Sequence, residues 1–429
     1  MFGTDNSVLA WETGMKLSTF GMKFAAESGI VELMDDLESA LLENPEMIMM
    51  GGGNPGRLPL AGELFRQSLE NILDDSEKRH SLFGLYQAPR GNREFRIEIA
   101  AYLKKQFGWC VTEDNIAVSN GSQSAFFVLF NMLAGGMPDG THQTMHLPLT
   151  PEYLGYADSG LREKFISSTR PEIRLLDDNL FKYQVDFERL KHASQIGALC
   201  VSRPTNPTGN VLTDEEISHL DDIAGKKGIP FIIDGAYGLP FPNILFTEAS
   251  PHWNENTILV LSLSKLGLPG VRTGIIVAGE EVIAAYANAN AIINLACGNI
   301  GPAIATELFR SGKIDVLANE HIAPFYLRRA REAVDAFRTA LHGLPYRIHK
   351  PEGAFFLWLW FEGLPISSQE LYQRLKKRGV LVVPGHHCFF GLDEEWQHQF
   401  ECIRVSYVQD PEQVQRGIQI IADEVRKLF

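Results

Sequence analysis

The chain lacks the features of several protein classes. It has no C-x-x-C pair, and its five cysteines (Cys110, Cys200, Cys297, Cys388 and Cys402) are odd in number and scattered. That argues against a disulfide framework and a thiolate zinc site; most of the five read as small buried hydrophobes. His386-His387 has no acid or histidine partner at ligand spacing, so no metal is expected. No apolar run reaches the roughly 18 residues needed to cross a bilayer. The N-terminus carries no charged start followed by an apolar stretch, so it does not read as a signal peptide. A soluble, cytoplasmic protein is the expectation. Basic residues are in deficit, 39 against 53 acidic, for a net charge of −14. Such a chain repels phosphate backbones as a whole, which argues against nucleic-acid partners. A small anion remains possible, because a few placed Arg and Lys side chains suffice to hold it.

What is present is an ordinary globular composition. Of 429 residues, 45% are hydrophobic and 10% aromatic, too many for a disordered chain. The length suits two domains of about 100–200 residues, or one large one. Residues 1–19 show no periodicity and read as a tail or arm. Apolar residues recur at helical spacing over 28–43 (Ile30, Leu33, Met34, Leu37, Leu41), and GGGNPG at 51–56 is a loop whose backbone can approach a ligand closely. Helices are predicted near 61–74 and 91–107.

A recurring pattern follows: apolar strand, polar loop, helix. It is seen in NIAVSNGSQSAFFVLFNML (115–133), in 141–160, in GALCVSRPTNPTGN (197–210) with the helix at 213–228, and in the strands of 229–238 and 257–279. Thr213 and Glu216 form a capping-box pattern. Continuous apolar strands alternating with helices predict a mostly parallel sheet covered on both faces, with ligands at the strands' C-terminal ends. Beyond 280, helices near 280–293, 301–311 and 322–342 lead into an α+β segment. The expected division is 1–60 as an arm and part of a small domain, 61–325 as the large domain, and 326–429 as the C-terminal small domain.

The residues with chemistry to offer cluster at those strand ends. Lys265 follows an apolar strand in SLSKLGLPGVRTG, flanked by Ser262 and Ser264, with Arg272 seven residues on. It could be a plain surface lysine. A lysine at the mouth of an α/β sheet is also how a protein offers an amine for a Schiff base, and serines with an Arg fork suit a phosphate. Asp234 in IIDGAYG is a turn former or a buried carboxylate for a cationic ring nitrogen, with Tyr237 three residues on. Asn206 in RPTNPTGN is a turn residue or an amide donor. Ser122 and Gln123 open a helix, where free N–H groups and the dipole favour anions. Tyr153 is core or a stacking face. Arg404, between apolar neighbours in CIRVSY, is paired to a buried acid or aimed at a carboxylate.

Asn206, Asp234, Tyr237, Lys265 and Arg272 occur in that order at spacings of 28, 3, 28 and 7. The ordered set resembles the core of the fold-type I pyridoxal-phosphate aminotransferases of class I/II. FGMKFAAESGI, MMGGGNPG, NGSQSAFF, SRPTNPTGN, SLSKLGLPG and KPEGAFFLWLWF extend the likeness to the valine–pyruvate branch, from about Phe20 to the C-terminus. The resemblance implies a seven-stranded-type, mostly parallel sheet in a large cofactor domain, a smaller α+β domain, and pyridoxal 5'-phosphate as cofactor. It implies Lys265 as the covalent anchor and proton shuttle, and Asp234 against the pyridine nitrogen. Asn206 and Tyr237 would meet the ring oxygen and Tyr153 would stack. Ser122, Gln123, Ser262 and Arg272 would hold the phosphate. On the substrate side it implies Arg404, Asn206 and the loop carrying Gly53. Tyr86 would reach the phosphate of the neighbouring subunit of a homodimer. The implied reaction passes an amino group between valine and pyruvate. A different aminotransferase specificity or a carbon–sulfur lyase uses the same cofactor residues, and a non-catalytic regulator on this fold should carry an added basic DNA-binding domain.

Overall fold

The computed structural model describes residues 16–26 and 28–429. Most of the expected N-terminal arm lies outside the described residues, as do the side chains of Leu37 and Leu41. Two large sheets organise the rest, with a small parallel pair between Ile48–Met49 and Val380–Leu381. The larger runs in the order Ile116–Ser119, Gly274–Val277, Thr257–Ser262, Phe231–Asp234, Ile196–Ser202, His142–Leu147, and both Ile166–Ser168 and Gly135–Gly136 pair with the last. Only pairings made by Gly274–Val277 and by the two-residue Gly135–Gly136 are antiparallel. The expected mostly parallel sheet is present.

The apolar runs explain it. Every residue of Ile196–Ser202 and Thr257–Ser262 is buried. Successive side chains point to opposite faces, so Ile258 and Val260 join one apolar cluster while Leu259 and Leu261 join the other. Helices Ser122–Leu133 and Glu280–Asn294 cover one face through Ala125, Leu129, Ile283 and Tyr286. Helix Asp214–Lys227 covers the other through Ile217, Leu220 and Ala224. It starts at the expected capping box: Thr213 Oγ1 accepts the Glu216 N–H at 3.1 Å, and Glu216 Oε2 accepts the Thr213 N–H at 2.8 Å. Gly228, at φ 65°, ends it in the left-handed region that glycine tolerates.

The second sheet runs Val383–Pro384, Cys402–Ser406, Phe356–Phe361, Tyr346–His349, Leu180–Gln184, Glu172–Leu175. Its last two strands come from far upstream and were not expected. Their mixed burial has no clean alternation, so periodicity carried no signal. Helix Ser76–Gly84 was also unforeseen, being the least amphipathic of the longer helices. The helix expected within 141–160 is only the single 3-10 turn Leu154–Tyr156. Among the described residues no helix is long and apolar enough to cross a membrane.

Beneath the second sheet, His349 and His398 are buried among Tyr183, Trp358 and Trp360. Burial pushes both imidazoles down to about 3, and His146 down to about 4. A histidine held neutral in the fold binds its proton first in the unfolded chain, so its contribution is lost as pH falls below about 6.5. Buried Glu152 and Asp234, raised in the fold, tilt the curve the other way, so a slope difference is the useful readout. His349→Gln should flatten the dependence of unfolding free energy on pH between 5 and 6.5 by up to about 1.4 kcal/mol per pH unit. Urea titrations at several pH values measure it, and parallel curves would refute the assignment.

Candidate functional site

Five strands of the large sheet end on the same edge, and the segments leaving them surround one cavity of about 190 Å³. Ile116–Ser119 leads to Ser122 and Gln123, and His142–Leu147 leads to Tyr153. Ile196–Ser202 leads to Asn206, Phe231–Asp234 to Tyr237, and Thr257–Ser262 to Ser264 and Lys265. The second sheet supplies Arg404, and the N-terminal loop supplies Gly51 and Gly53. Of the twelve site residues named from the sequence, eleven line this cavity. Tyr86 does not; it is 86% exposed.

Lys265 sits on the 3-10 turn Ser264–Leu266, which the Ser264 N–H pins by donating to Ser262 Oγ at 3.1 Å. Its Nζ donates to the Gly53 carbonyl at 2.6 Å. Burial, with the Arg404 charge nearby, pushes its amine down to about 8, while Asp234 pulls it back up. A substantial neutral fraction therefore exists near neutral pH, and the neutral amine is the nucleophile.

Asp234 ends its strand buried. Its Oδ1 accepts the Ala236 N–H at 2.8 Å and its Oδ2 accepts the Tyr156 hydroxyl at 2.5 Å. Burial raises its carboxyl above the usual range against the pull of these donors and of Lys265. A cationic ligand atom beside it would favour the carboxylate.

Arg404 is 3% exposed. It donates to Asn206 Oδ1 at 2.6 Å and to the Gly51 carbonyl at 2.7 Å, and lies 4.2 Å over the Phe356 ring. Its Nε is buried without a partner among the described residues. No carboxylate faces it among the described ion pairs, so the buried-acid reading of this residue drops out and a ligand carboxylate is the group that would satisfy it.

At the other end lies an anion cradle. Helix Ser122–Leu133 starts at Gly121, φ 86°, with no side-chain cap, which leaves its first N–H groups open. Arg272, itself in the left-handed region at φ 49°, folds over this start. A Cβ on Gly121 would run into its guanidinium, so the close approach requires glycine. Ser262 and Ser264 line the same end.

A model of the class I and II aminotransferase family matches residues 166–421. The valine–pyruvate aminotransferase of Escherichia coli K12 is 49% identical over 97% of this chain and 99% of its own. The chain belongs to the class I and II aminotransferases. Among solved structures, the valine–pyruvate aminotransferase of Salmonella typhimurium LT2 aligns at TM-score 0.86 with 46% identity, covering 93% of this chain and 99% of that one. A putative amino-acid aminotransferase of Psychrobacter arcticum aligns at 0.94 with 45% identity, covering 97% and 99%.

Enzymes of this family work with pyridoxal phosphate, and the residues here fit it. The open helix start with Arg272 suits a phosphate, the buried carboxyl of Asp234 suits a protonated ring nitrogen, and the Lys265 amine, lowered by burial, suits an aldehyde. Sequence reasoning missed Tyr156, Ser202 and Glu152. Tyr156 had a faint signal, since Tyr153 and Tyr156 are three apart on one turn, where the nearer lines the cavity and the farther reaches Asp234. Gly121→Ala should fold yet release the cofactor at least about tenfold faster, because it displaces a charge-assisted contact. Dialysis against inorganic phosphate, followed by cofactor absorbance, measures this; release at the parent rate would exclude the cradle.

Proposed function

We propose that this protein transfers the amino group of L-valine to pyruvate, giving 3-methyl-2-oxobutanoate and L-alanine, in two half-reactions on pyridoxal phosphate. The carrying observation is that Lys265 Nζ and the Arg404 guanidinium reach carbonyls two residues apart, Gly53 and Gly51, inside one cavity. An amine that can act as a base and a carboxylate holder in one cavity match an α-amino acid, whose Cα–H sits next to its carboxylate. When bound, the cofactor supplies an aldehyde for the substrate amine and a ring that draws off electrons as the Cα–H bond weakens.

The chain's residues do the rest. Lys265 Nζ would take the proton from the substrate Cα as a general base and pass it as an acid to the cofactor's aldehyde-derived carbon within the same half-reaction, and the second half-reaction would run the two transfers in reverse. Asp234 would keep the ring nitrogen protonated, itself oriented by Tyr156. Tyr237 and Asn206 would donate to the ring oxygen, and Tyr153 would cover the ring face. Ser122, Gln123, Ser262 and Arg272 would hold the phosphate. Gln123 is the least direct of these, because its amide donates to the Gly155 carbonyl at 2.8 Å. Ile30, Leu33 and Met34 make an apolar wall, and the cavity's cations are Lys265, Arg272 and Arg404. With those three assigned, no cation among the described lining residues is left for a side-chain carboxylate, which favours small apolar substrates.

The reading extends to a homodimer. Tyr86 and Leu85 are exposed, and so are Ile292, Ile293 and Leu295. The Asn290 amide donates to the Pro89 carbonyl at 2.8 Å, which holds the two stretches side by side. An exposed apolar surface of this kind suits a subunit contact, with Tyr86 reaching the neighbour's phosphate. The five free cysteines, with only Cys110 exposed, fit a reducing compartment and support a cytoplasmic location.

Adding L-valine to the holoenzyme should convert its visible absorbance, and pyruvate should restore it. No conversion with valine would defeat the assignment, and a product other than a keto acid would favour a lyase. Lys265→Ala should lose turnover entirely. Arg404→Lys should raise KM for both valine and pyruvate, because it removes a two-pronged grip that one ammonium cannot replace; unchanged KM values would refute its role. Tyr86→Ala and Lys265→Ala subunits, mixed and reassociated, should regain activity that neither has alone. Mixtures that stay inactive would place Tyr86 outside the neighbour's site.

A further inference from the structure

Glu152 has no part in the roles above, yet it is the most elaborately held carboxyl near the cavity. It is 2% exposed. Its Oε1 accepts the Ser202 N–H at 2.7 Å, and its Oε2 accepts both the Ser202 hydroxyl at 2.6 Å and the Tyr153 N–H at 3.0 Å. Its own N–H donates to the Cys388 carbonyl at 3.0 Å. Taking a carboxyl out of water is costly, and burial pushes this one up to about 8. Packing alone would favour an apolar residue here.

The backbone supplies the reason for a carboxyl. Ser202 ends its strand, and the neighbouring strand His142–Leu147 pairs no further along than Leu199. The Ser202 N–H therefore points past the end of its ladder. The Tyr153 N–H lies just before the 3-10 turn Leu154–Tyr156, where no helical carbonyl serves it. Both are buried donors that need an acceptor. One carboxyl closes both and so ties the Tyr153 backbone to the last row of the sheet. In that row Ser202 is the Cα partner of Asp234. The Tyr153 ring packs edge-on against Tyr156 at 5.3 Å, whose hydroxyl holds Asp234. Tyr153 and Asp234, which would meet the cofactor's face and nitrogen, are thus linked along two routes, one through Glu152 and Ser202, the other through Tyr156.

We propose that Glu152 is a positioning residue: by clamping the Tyr153 backbone to Ser202 it sets the Tyr153 ring over the cavity relative to Asp234, and so fixes the seat of the planar cofactor. This rests on the reading of Tyr153 as the stacking face. The chemistry asks for a carboxyl in particular. Each oxygen receives a backbone N–H, so a glutamine amide, turned either way, sets its NH2 against one of them. A protonated acid still satisfies the set, because its O–H can donate to Ser202 Oγ while Oε2 keeps a lone pair for the Tyr153 N–H.

The test compares holoenzymes of the parent, Glu152→Gln, Ser202→Ala and Tyr153→Ala. The readouts are cofactor release rate, the visible circular dichroism of bound cofactor, kcat and KM for valine. Glu152→Gln should release cofactor about tenfold faster, change the dichroism, and lower kcat about tenfold, since small misplacements are costly in rate. KM should stay within about twofold, because Arg404 is untouched. If Tyr153→Ala holds cofactor as the parent does, the stacking reading fails. If Tyr153→Ala releases it quickly while Glu152→Gln keeps the parent's release rate and dichroism, Glu152 does not position the ring. A change confined to KM would also overturn the proposal. Should Glu152→Gln not fold, Ser202→Ala removes the hydroxyl contact alone and should move release and dichroism in the same direction; unchanged values would overturn the proposal.

Discussion

A guanidinium is buried in this protein without a carboxylate to pair with among the described residues. Arg404 has an amide oxygen, a backbone carbonyl and an aromatic face for company, and one nitrogen with no partner. An unpaired buried charge is among the costliest things a fold can hold. The surroundings are arranged so that the missing half can arrive as a ligand. Lys265, close enough to feel that charge, is driven toward its neutral form by it and by burial. The cavity therefore contains a charged holder and an amine that gives up its proton more readily than an ordinary lysine, because low dielectric and the nearby like charge both disfavour its charged form.

The site depends on strand ends meeting. A parallel sheet sends successive loops off one edge, so residues far apart in sequence, from Ser122 to Lys265, converge without any one loop being long. Arg404 crosses from the other sheet, and its bond to Asn206 joins the two. Close by, a buried pair reinforces that joint. Lys182, on the strand Leu180–Gln184, donates to Glu352, which also accepts the Val211 N–H at 3.1 Å. Val211 follows the Asn206 loop, so the second sheet and the loop that holds Arg404 are fastened together. Gly209, at φ 70°, packs against the Gly353 carbonyl so closely that a Cβ would not fit.

The likeness to valine–pyruvate aminotransferases and the geometry meet at the apolar wall. In the proposed reading the chemistry common to the family falls to the Lys265, Asp234 and Arg272 end of the cavity. The proposed preference for a small apolar substrate rests on Ile30, Leu33 and Met34 together with the three assigned cations. Hydrophobic walls discriminate by only about 1–3 kcal/mol per methylene. Such a wall would suit a site that accepts side chains of different small size in its two half-reactions.

Much was legible in the sequence because the informative residues are anchored locally. Asp234 and Lys265 each follow an apolar strand, and the Thr213–Glu216 cap spans one turn, so short spacing carried their meaning. The parallel sheet was readable because strands buried on both faces must be apolar throughout. What only the tertiary structure decided depends on long-range pairing. Strands Glu172–Leu175 and Leu180–Gln184 join a sheet whose other members lie more than 150 residues away, and no local period marks them. Arg404 stood at a fork between a buried acid and a ligand, and only the absence of a facing acid among its described partners resolved it. Glu152 was invisible for the same reason: a glutamate beside a proline reads as surface loop until the end of a strand, fifty residues on, turns an unpaired N–H toward it.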